Sequence, residues 1–253
     1  MNGVTAGSGS RWLLCRTRRP DAAARLYCLP HSGGSAGEFL FWSDVLPNLE
    51  VWGIQLPGHG NRMFEAGLTT MPEAVAAIAA SVPLQPPYAL FGHSLGAAVA
   101  YELTQVLHTR GLPLPQRLYL SSREPPHLHV QEAGLLRLTD DELLGELSQQ
   151  YGDIPAELRD DPDWRELTLG SLRADLNIIA SYQPVPAAPL PCPVTAVGGS
   201  QDPEVTQDQL GAWNSYTTGG FELRMFAGGH FYFREQDNDI HRLFTADLAR
   251  NAR

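Results

Sequence analysis

The stretch "YALFGHSLGAAVAYELTQVL", residues 88–107, leaves the chain few folds to choose from. It opens with an apolar run of strand length, passes through a five-residue turn, and continues as a helix apolar on nearly every side. A helix without a polar face is a buried helix. A strand without apolar/polar alternation is covered on both faces, as in a parallel sheet. The turn carries small residues, Gly92, Gly96 and Ala97, that let helix and strand approach closely. They frame Ser94 in the pattern G-x-S-x-G, which recurs in "HSGGSAG", residues 31–37, centred on Ser35.

The rest of the chain repeats the strand-then-helix rhythm. Strands are expected at 11–17, 24–30, 50–57, 88–92, 117–122, 193–199 and 221–226, and helices at about 36–46, 71–82, 95–110, 206–217 and 235–250. Thr70 and Pro72 mark the start of the second helix, and Gly111 stops the third. The alternation implies an α/β fold, a doubly wound and mostly parallel sheet in a single domain spanning 1–253. Residues 123–190 break the rhythm. There "TDDE" (139–142) reads as a capping box before a helix with Leu143, Leu144, Leu147 and Tyr151 on one face. "DDPDW" then opens a second helix with Trp164, Leu167, Leu172, Leu176 and Ile179 at helical spacing. Such an insertion either adds core or covers a site, and a helical lid is the expected role. The Gly/Ser-rich first ten residues are expected to be disordered.

A formal net charge of −10 argues against non-specific binding to nucleic acid or to an anionic membrane. No run approaches the roughly 20 apolar residues that span a bilayer, and "MNGVTAGSGSRW" has no signal-peptide core. Cys15, Cys28 and Cys192 are too few and too scattered for a disulfide framework or a metal site. A cytoplasmic protein is expected.

Ser94 ends a central strand, where α/β sheets bind ligands, and its setting resembles the nucleophile elbow of α/β-hydrolases. Ser35 also lies between a strand and a helix. Acyl transfer further needs N–H donors aimed at developing negative charge. In that fold one donor follows the nucleophile and the other comes from a Gly-rich loop after an earlier strand. With Ser94 as nucleophile, the N–H groups of Leu95 and, in "HSGG", of Ser32 fill these places; with Ser35, no Gly-rich loop precedes it. Ser94 is the expected nucleophile.

The fold's chain order is serine, acid, histidine. Among the histidines after Ser94, His230 follows the last strand in "RMFAGGH" and is the expected base, whereas His241 reads as a surface residue of the terminal helix. Asp202, just past "PVTAVGGSQ", is the expected acid, holding the imidazole in the right tautomer. A turn role before Pro203 is the plainer alternative for Asp202, and Glu124 in "SSREPP" is the rival acid.

The finer text is more specific. "LPHSGGSAGEFLFW", "GIQLPGHGNR", "FGHSLGAAVAYEL", "SSREPP", "SLRADLNIIASY", "GGSQDPEV" and "FAGGHFYF" run in order over about residues 24–234. With them the chain resembles the stand-alone type II thioesterases of polyketide and nonribosomal peptide assembly lines. It departs at Ser32, where members usually have Ala, and at His59, often Arg, whose role stays open. The resemblance implies hydrolysis of acyl groups from the phosphopantetheine thiol of carrier proteins. The serine chemistry needs no metal or redox cofactor, phosphopantetheine being part of the substrate, and a monomer is expected. Such carriers are usually acidic, so docking is expected to use an apolar patch and local arginines, with Arg123, Arg137, Arg159 and Arg173 as candidates. An acyltransferase or cyclase and a general esterase are the alternatives within the fold. A non-catalytic binding protein is a further one, which the filled triad disfavours.

Overall fold

The computed structural model describes residues 5–6, 11–131, 133–151, 161–234 and 239–250. Its strands are β1 (Thr5–Ala6), β2 (Leu13–Cys15), β3 (Ala24–Leu29), β4 (Leu49–Ile54), β5 (Tyr88–His93), β6 (Arg117–Ser121), β7 (Val194–Gly199) and β8 (Phe221–Phe226). They form one sheet ordered β1-β2-β4-β3-β5-β6-β7-β8. The two leading strands are antiparallel, and the six from β4 to β8 run parallel. The apolar runs without alternation are those whose residues are buried on both faces, above all β4, β5 and β7. Of the ten leading residues expected to be disordered, Thr5 and Ala6 instead pair with Cys15 and Leu14; the others lie outside the described residues.

The helices are α1 (Gly37–Leu40), α2 (Met71–Ser81), α3 (Leu95–Thr109), α4 (Asp140–Tyr151), α5 (Pro162–Ala180), α6 (Gln207–Gly211) and α7 (Ile240–Arg250). Thr70 caps α2 by accepting the Glu73 N–H, and Gly111, at φ +64°, follows the last turn of α3. Two helices are shorter than expected, because α1 and α6 tighten into 3₁₀ turns at Phe41–Asp44 and Ala212–Tyr216. One core joins α2, α3, Trp213 and the C-terminal part of α5 to one face of the sheet. The other joins Phe39, Trp42 and α7 to the opposite face. His241, expected at the surface, is half-buried with its ring edge-on to Trp42, 5.3 Å away. Cys15, Cys28 and Cys192 are free and buried, and burial pushes the thiol of Cys28 well up. No helix among the described residues is long and apolar enough to cross a membrane.

Residues 123–190 hold α4, α5 and two 3₁₀ turns, and no strand among the described residues. Thr139 and Glu142 form the expected capping box at α4. Asp161 caps α5 by accepting from Asp163 and Trp164 N–H. The buried stripe of α5 is not the expected one. It runs through Leu169, Leu172, Asp175 and Ile178, while Trp164 is exposed. An acidic residue in mid-helix broke the apolar pattern, and Asp175 is the residue the helix buries.

Candidate active site

The order of strands fixes where a ligand can sit. After β3 the chain adds β4 on one side, then returns to add β5, β6, β7 and β8 on the other. The switch point is the crevice between the carboxyl ends of β3 and β5, which lie level at Leu29 and Gly92. The two G-x-S-x-G stretches are the two lips of that crevice.

On the β5 lip, Ser94 takes φ +53° and ψ −116° and hands the chain directly into α3. A β-carbon on Gly92 would come within 2.1 Å of Gly96 O, and one on Gly96 within 2.2 Å of Leu29 O. Only glycine fits either place, which is why helix and strand can close so sharp a turn. The Ser94 N–H donates to Ser121 O at 2.8 Å, tying the elbow to β6. Leu95 N is the first amide of α3 and has no acceptor within the helix.

On the β3 lip, residues 31–34 form a tight turn in which Gly34 N–H donates to His31 O at 2.9 Å. Gly33, at φ +75°, supplies the left-handed third position of a type II turn. Ser32 is the residue before it. Ser35 has no elbow: among the described residues only Ser94 and Ser122 are non-glycines with positive φ. The Ser35 hydroxyl accepts from Gly37 N–H at 3.3 Å, a helix-start contact.

His230 and Asp202 meet beyond β8 and β7. His230 Nδ1 lies 3.0 and 3.1 Å from the two carboxylate oxygens of Asp202, and both side chains are almost wholly buried. Asp202 also accepts Glu204 N–H at 2.9 Å, so the turn role and the pairing with histidine occupy one carboxylate. Burial works against its charge, but the bond to His230 and the Glu204 N–H outweigh it and hold its pKa below the usual value. The ring of His230 stands 4.9 Å from that of His93, the neighbour of Ser94, and Nε2 lies 3.7 Å from Glu204. His93 bonds Ser121 Oγ at 2.9 Å and is held neutral by burial. The rival acid, Glu124, is engaged elsewhere: it pairs with Arg123 at 2.9 Å and His129 at 3.5 Å.

A thioesterase-domain family model matches residues 24–248. The chain belongs to the thioesterase family. It is 38% identical over 225 residues to thioesterase PikA5 of Streptomyces venezuelae, covering 87% of this chain and 79% of that one. It is 33% identical to the gramicidin S biosynthesis protein GrsT of Aneurinibacillus migulanus, covering 94% of each. The structure of the type II thioesterase BorB, from the borrelidin biosynthetic cluster, superposes with a TM-score of 0.85 at 32% identity. That match covers 96% of this chain and 100% of BorB. The thioesterase has the α/β-hydrolase fold of these relatives.

Two residues of this thioesterase, Ser122 in "SSREPP" and Asp175 in "SLRADLNIIASY", are given no role of their own by the sequence. Ser122, at φ +47°, donates its hydroxyl to His230 O at 3.4 Å. Asp175 reaches from α5 to both Gly33 N–H, at 2.8 Å, and His59 Nε2, at 3.2 Å. The partner of His59 is thus an acid on the insertion. Beside this contact a cleft of about 250 Å³ opens, lined by Gly33, Ser35, Gly58, His59, Met63 and Trp164 among others. A larger one, about 560 Å³, lies before β3 and β4 around Arg18, Arg19 and Asn48. That is the amino end of the strands, opposite the site.

Two of the expected docking arginines are otherwise occupied. Arg123 pairs with Glu124, and Arg173 bonds Asp140 and Leu138 O, stapling the insertion together. Arg159 lies outside the described residues. Among the described residues no three His, Cys, Asp or Glu side chains cluster as metal ligands do.

Proposed function

We propose that this thioesterase hydrolyses acyl groups from the phosphopantetheine arm of carrier proteins, with Ser94, Asp202 and His230 as its catalytic triad. The observation that carries the reading is the Asp202 carboxylate on His230 Nδ1 beside the strained Ser94 elbow. An acceptor at Nδ1 keeps the proton there and leaves Nε2 basic. Ser94 Oγ then attacks the thioester carbonyl as its proton passes to Nε2. The oxyanion is received by the N–H groups of Ser32 and Leu95. The C–S bond breaks, the thiolate leaves with the proton from His230, and water repeats the sequence on the acyl-enzyme. The chemistry calls for no metal or redox cofactor, and phosphopantetheine enters as part of the substrate.

The carrier is the partner this reading implies, since the similar YbtT is a type II thioesterase from the yersiniabactin NRPS/PKS biosynthetic pathway. A long, thin arm suits a serine set at a crevice under an insertion, and 123–190 serves as the lid. With a net charge of −10, long-range attraction to an acidic carrier is absent. Docking therefore rests on short-range contacts. The test is thiol release from one acyl group on a carrier protein and on free pantetheine, at low and moderate salt. A higher kcat/KM on the carrier with weak salt dependence is expected. Equal rates on both overturn the carrier assignment and favour a general thioesterase; appearance of a new ester or amide in place of free acid marks an acyltransferase.

A further inference from the structure

Asp175 stands in mid-helix on α5, its side chain 4% exposed, and each of its oxygens has a partner within the protein. Oδ2 accepts the Gly33 N–H at 2.8 Å, and Oδ1 faces His59 Nε2 at 3.2 Å. One carboxylate from the insertion thus holds the loop after β3 and the loop after β4 together. The neighbouring turn of α5 is seated on the same loops. Ser171 Oγ donates to Gly58 O, and a β-carbon on Gly33 would come within 3.2 Å of Leu172 Cδ1. Burying a carboxylate costs several kcal/mol unless its bonds are all made. Such a cost, met at one site between two loops, points to a role in holding them.

The bond falls on a particular peptide. Gly33 N–H belongs to the Ser32–Gly33 peptide, the central one of the His31–Gly34 turn. That peptide distinguishes a type II turn from a type I turn, and with two glycines following Ser32 little else resists its rotation. An acceptor fixed on Gly33 N–H selects one orientation and with it the path of the loop at Ser32. On the other side, His31 is held 3.3 Å from Glu38, itself bonded by Arg234. The loop is therefore pinned at its root by the body of the protein and at its tip by the insertion.

We propose that Asp175 is a positioning residue for the oxyanion hole, so that full catalytic power requires α5 to be seated on the Ser32–Gly33 loop. This rests on the reading of Ser94 as nucleophile with Ser32 and Leu95 as oxyanion donors. Asp175 touches no reacting atom. Its effect falls on the transition state, because a donor displaced from the oxyanion loses most of its worth while a neutral thioester is bound much as before.

The test compares Asp175→Leu, which keeps the branched shape at a larger volume and removes the acceptor, with Asp175→Asn. The Asn carbonyl can still accept Gly33 N–H, and its NH₂ can donate to His59 Nε2. Measured quantities are kcat and KM on an acyl-pantetheine, affinity for an alkyl boronic acid, affinity for a non-hydrolysable thioether analogue, and Tm. The boronate forms a tetrahedral adduct on the serine and engages the oxyanion hole; the thioether does not. Asp175→Leu should lower kcat by roughly 10–100-fold and weaken the boronate in parallel. KM and thioether affinity should stay within about threefold, and Asp175→Asn should recover most of the loss. If both variants fall equally, if thioether affinity falls with the boronate, or if kcat is unchanged in Asp175→Leu, the role is wrong. Should Asp175→Leu fail to fold, Asp175→Ser, which also leaves Gly33 N–H beyond reach, is read by the same criteria. Ser94→Ala separates the two layers. Undiminished boronate affinity there overturns the nucleophile reading; affinity lost there but intact in the Asp175 variants overturns the Asp175 role alone.

Discussion

At Ser94 the backbone holds φ +53° and ψ −116°, a conformation that costs a residue with a β-carbon on the order of 1–3 kcal/mol. The bond to Ser121 O and the two glycines on either side over-determine it. Alanine keeps the same β-carbon, so Ser94→Ala should leave the fold unchanged and cut turnover by on the order of 10⁴-fold or more. Ser35→Ala loses only the contact to Gly37 N–H and should stay within about twofold of wild type. A dead Ser35→Ala beside an active Ser94→Ala would reverse the assignment. At the proposed acid, Asp202→Asn keeps an acceptor for Glu204 N–H but turns an NH₂ toward His230 Nδ1. The proton is then driven to Nε2, where it blocks the base, and a loss of about 10³–10⁴-fold is expected. Glu124→Gln, bound up with Arg123 and His129, should be mild; the reverse ranking in kcat would move the acid to β6. The residues of the proposed triad could be singled out in the sequence because each carries a local mark: small residues around a serine, a carboxylate or an imidazole just past a strand. Asp175 lies in "SLRADLNIIASY", but nothing local says what it bonds. A lone acid in a helix reads as solvent face, and the N–H it serves lies 142 residues away in the chain.

The elements of the sheet were legible for a similar reason. Apolar runs, Thr70, Pro72 and Gly111 are signals written within a few residues, whereas the face a helix buries depends on what it packs against. In the insertion this divides one segment into two physical parts. α4 packs on α5 through Leu143 and Leu144 against Leu169 and Leu172, a cluster apart from the two cores. The ion pairs Arg165–Asp141 and Arg173–Asp140 add little, about 0.2–1 kcal/mol each at such exposure. The later turns of α5 are different: Asp175 is bonded to Gly33 of the loop after β3, Ile178 lies in the main core, and Tyr182 just beyond bonds Glu102 on α3. Within the insertion proposed to cover the site, motion is therefore expected in the α4 part, with the later turns of α5 staying fixed. Amides of 172–180 should exchange at rates close to those of the central strands, and those of 143–149 markedly faster. Hydrogen exchange resolved by peptide checks this. Equal protection in both would make α4 a fixed wall, and fast exchange in both would mean that Asp175 does not seat the helix.

For the molecule as a whole, the buried titratable groups set how stability responds to acid. His93 is fully buried among His31, His230, Phe231 and Phe233, and bonds Ser121. Burial, helped by the nearby His230, His31 and Arg234, pushes its pKa well below the ordinary 6.5. His241, packed on Trp42, is shifted the same way by burial. Below about pH 6.5 the unfolded chain takes up protons at these two positions that the folded chain refuses. Stability must then fall with pH, by at most about 1.4 kcal/mol per pH unit for each group. Lower down, Asp202, Glu38, Glu50 and Glu124 act with the same sign. In each, burial is outweighed by bonds to His or Arg partners, so the folded pKa lies below the unfolded one and stability is lost as pH falls through it. Glu102 works the other way: burial raises it despite the Tyr182 hydroxyl, so the folded protein gains its proton first. The expected Tm profile is flat from pH 8 to 7, declines from about pH 6.5 as the histidines resist charging, and steepens in the carboxylate range. His93→Asn can keep a bond to Ser121 but has nothing to titrate. Whatever its effect on the plateau, its decline between pH 7 and 5 should be shallower than that of wild type. An unchanged slope in that window, measured by thermal unfolding, would show that the His93 ring is not the group the fold keeps neutral.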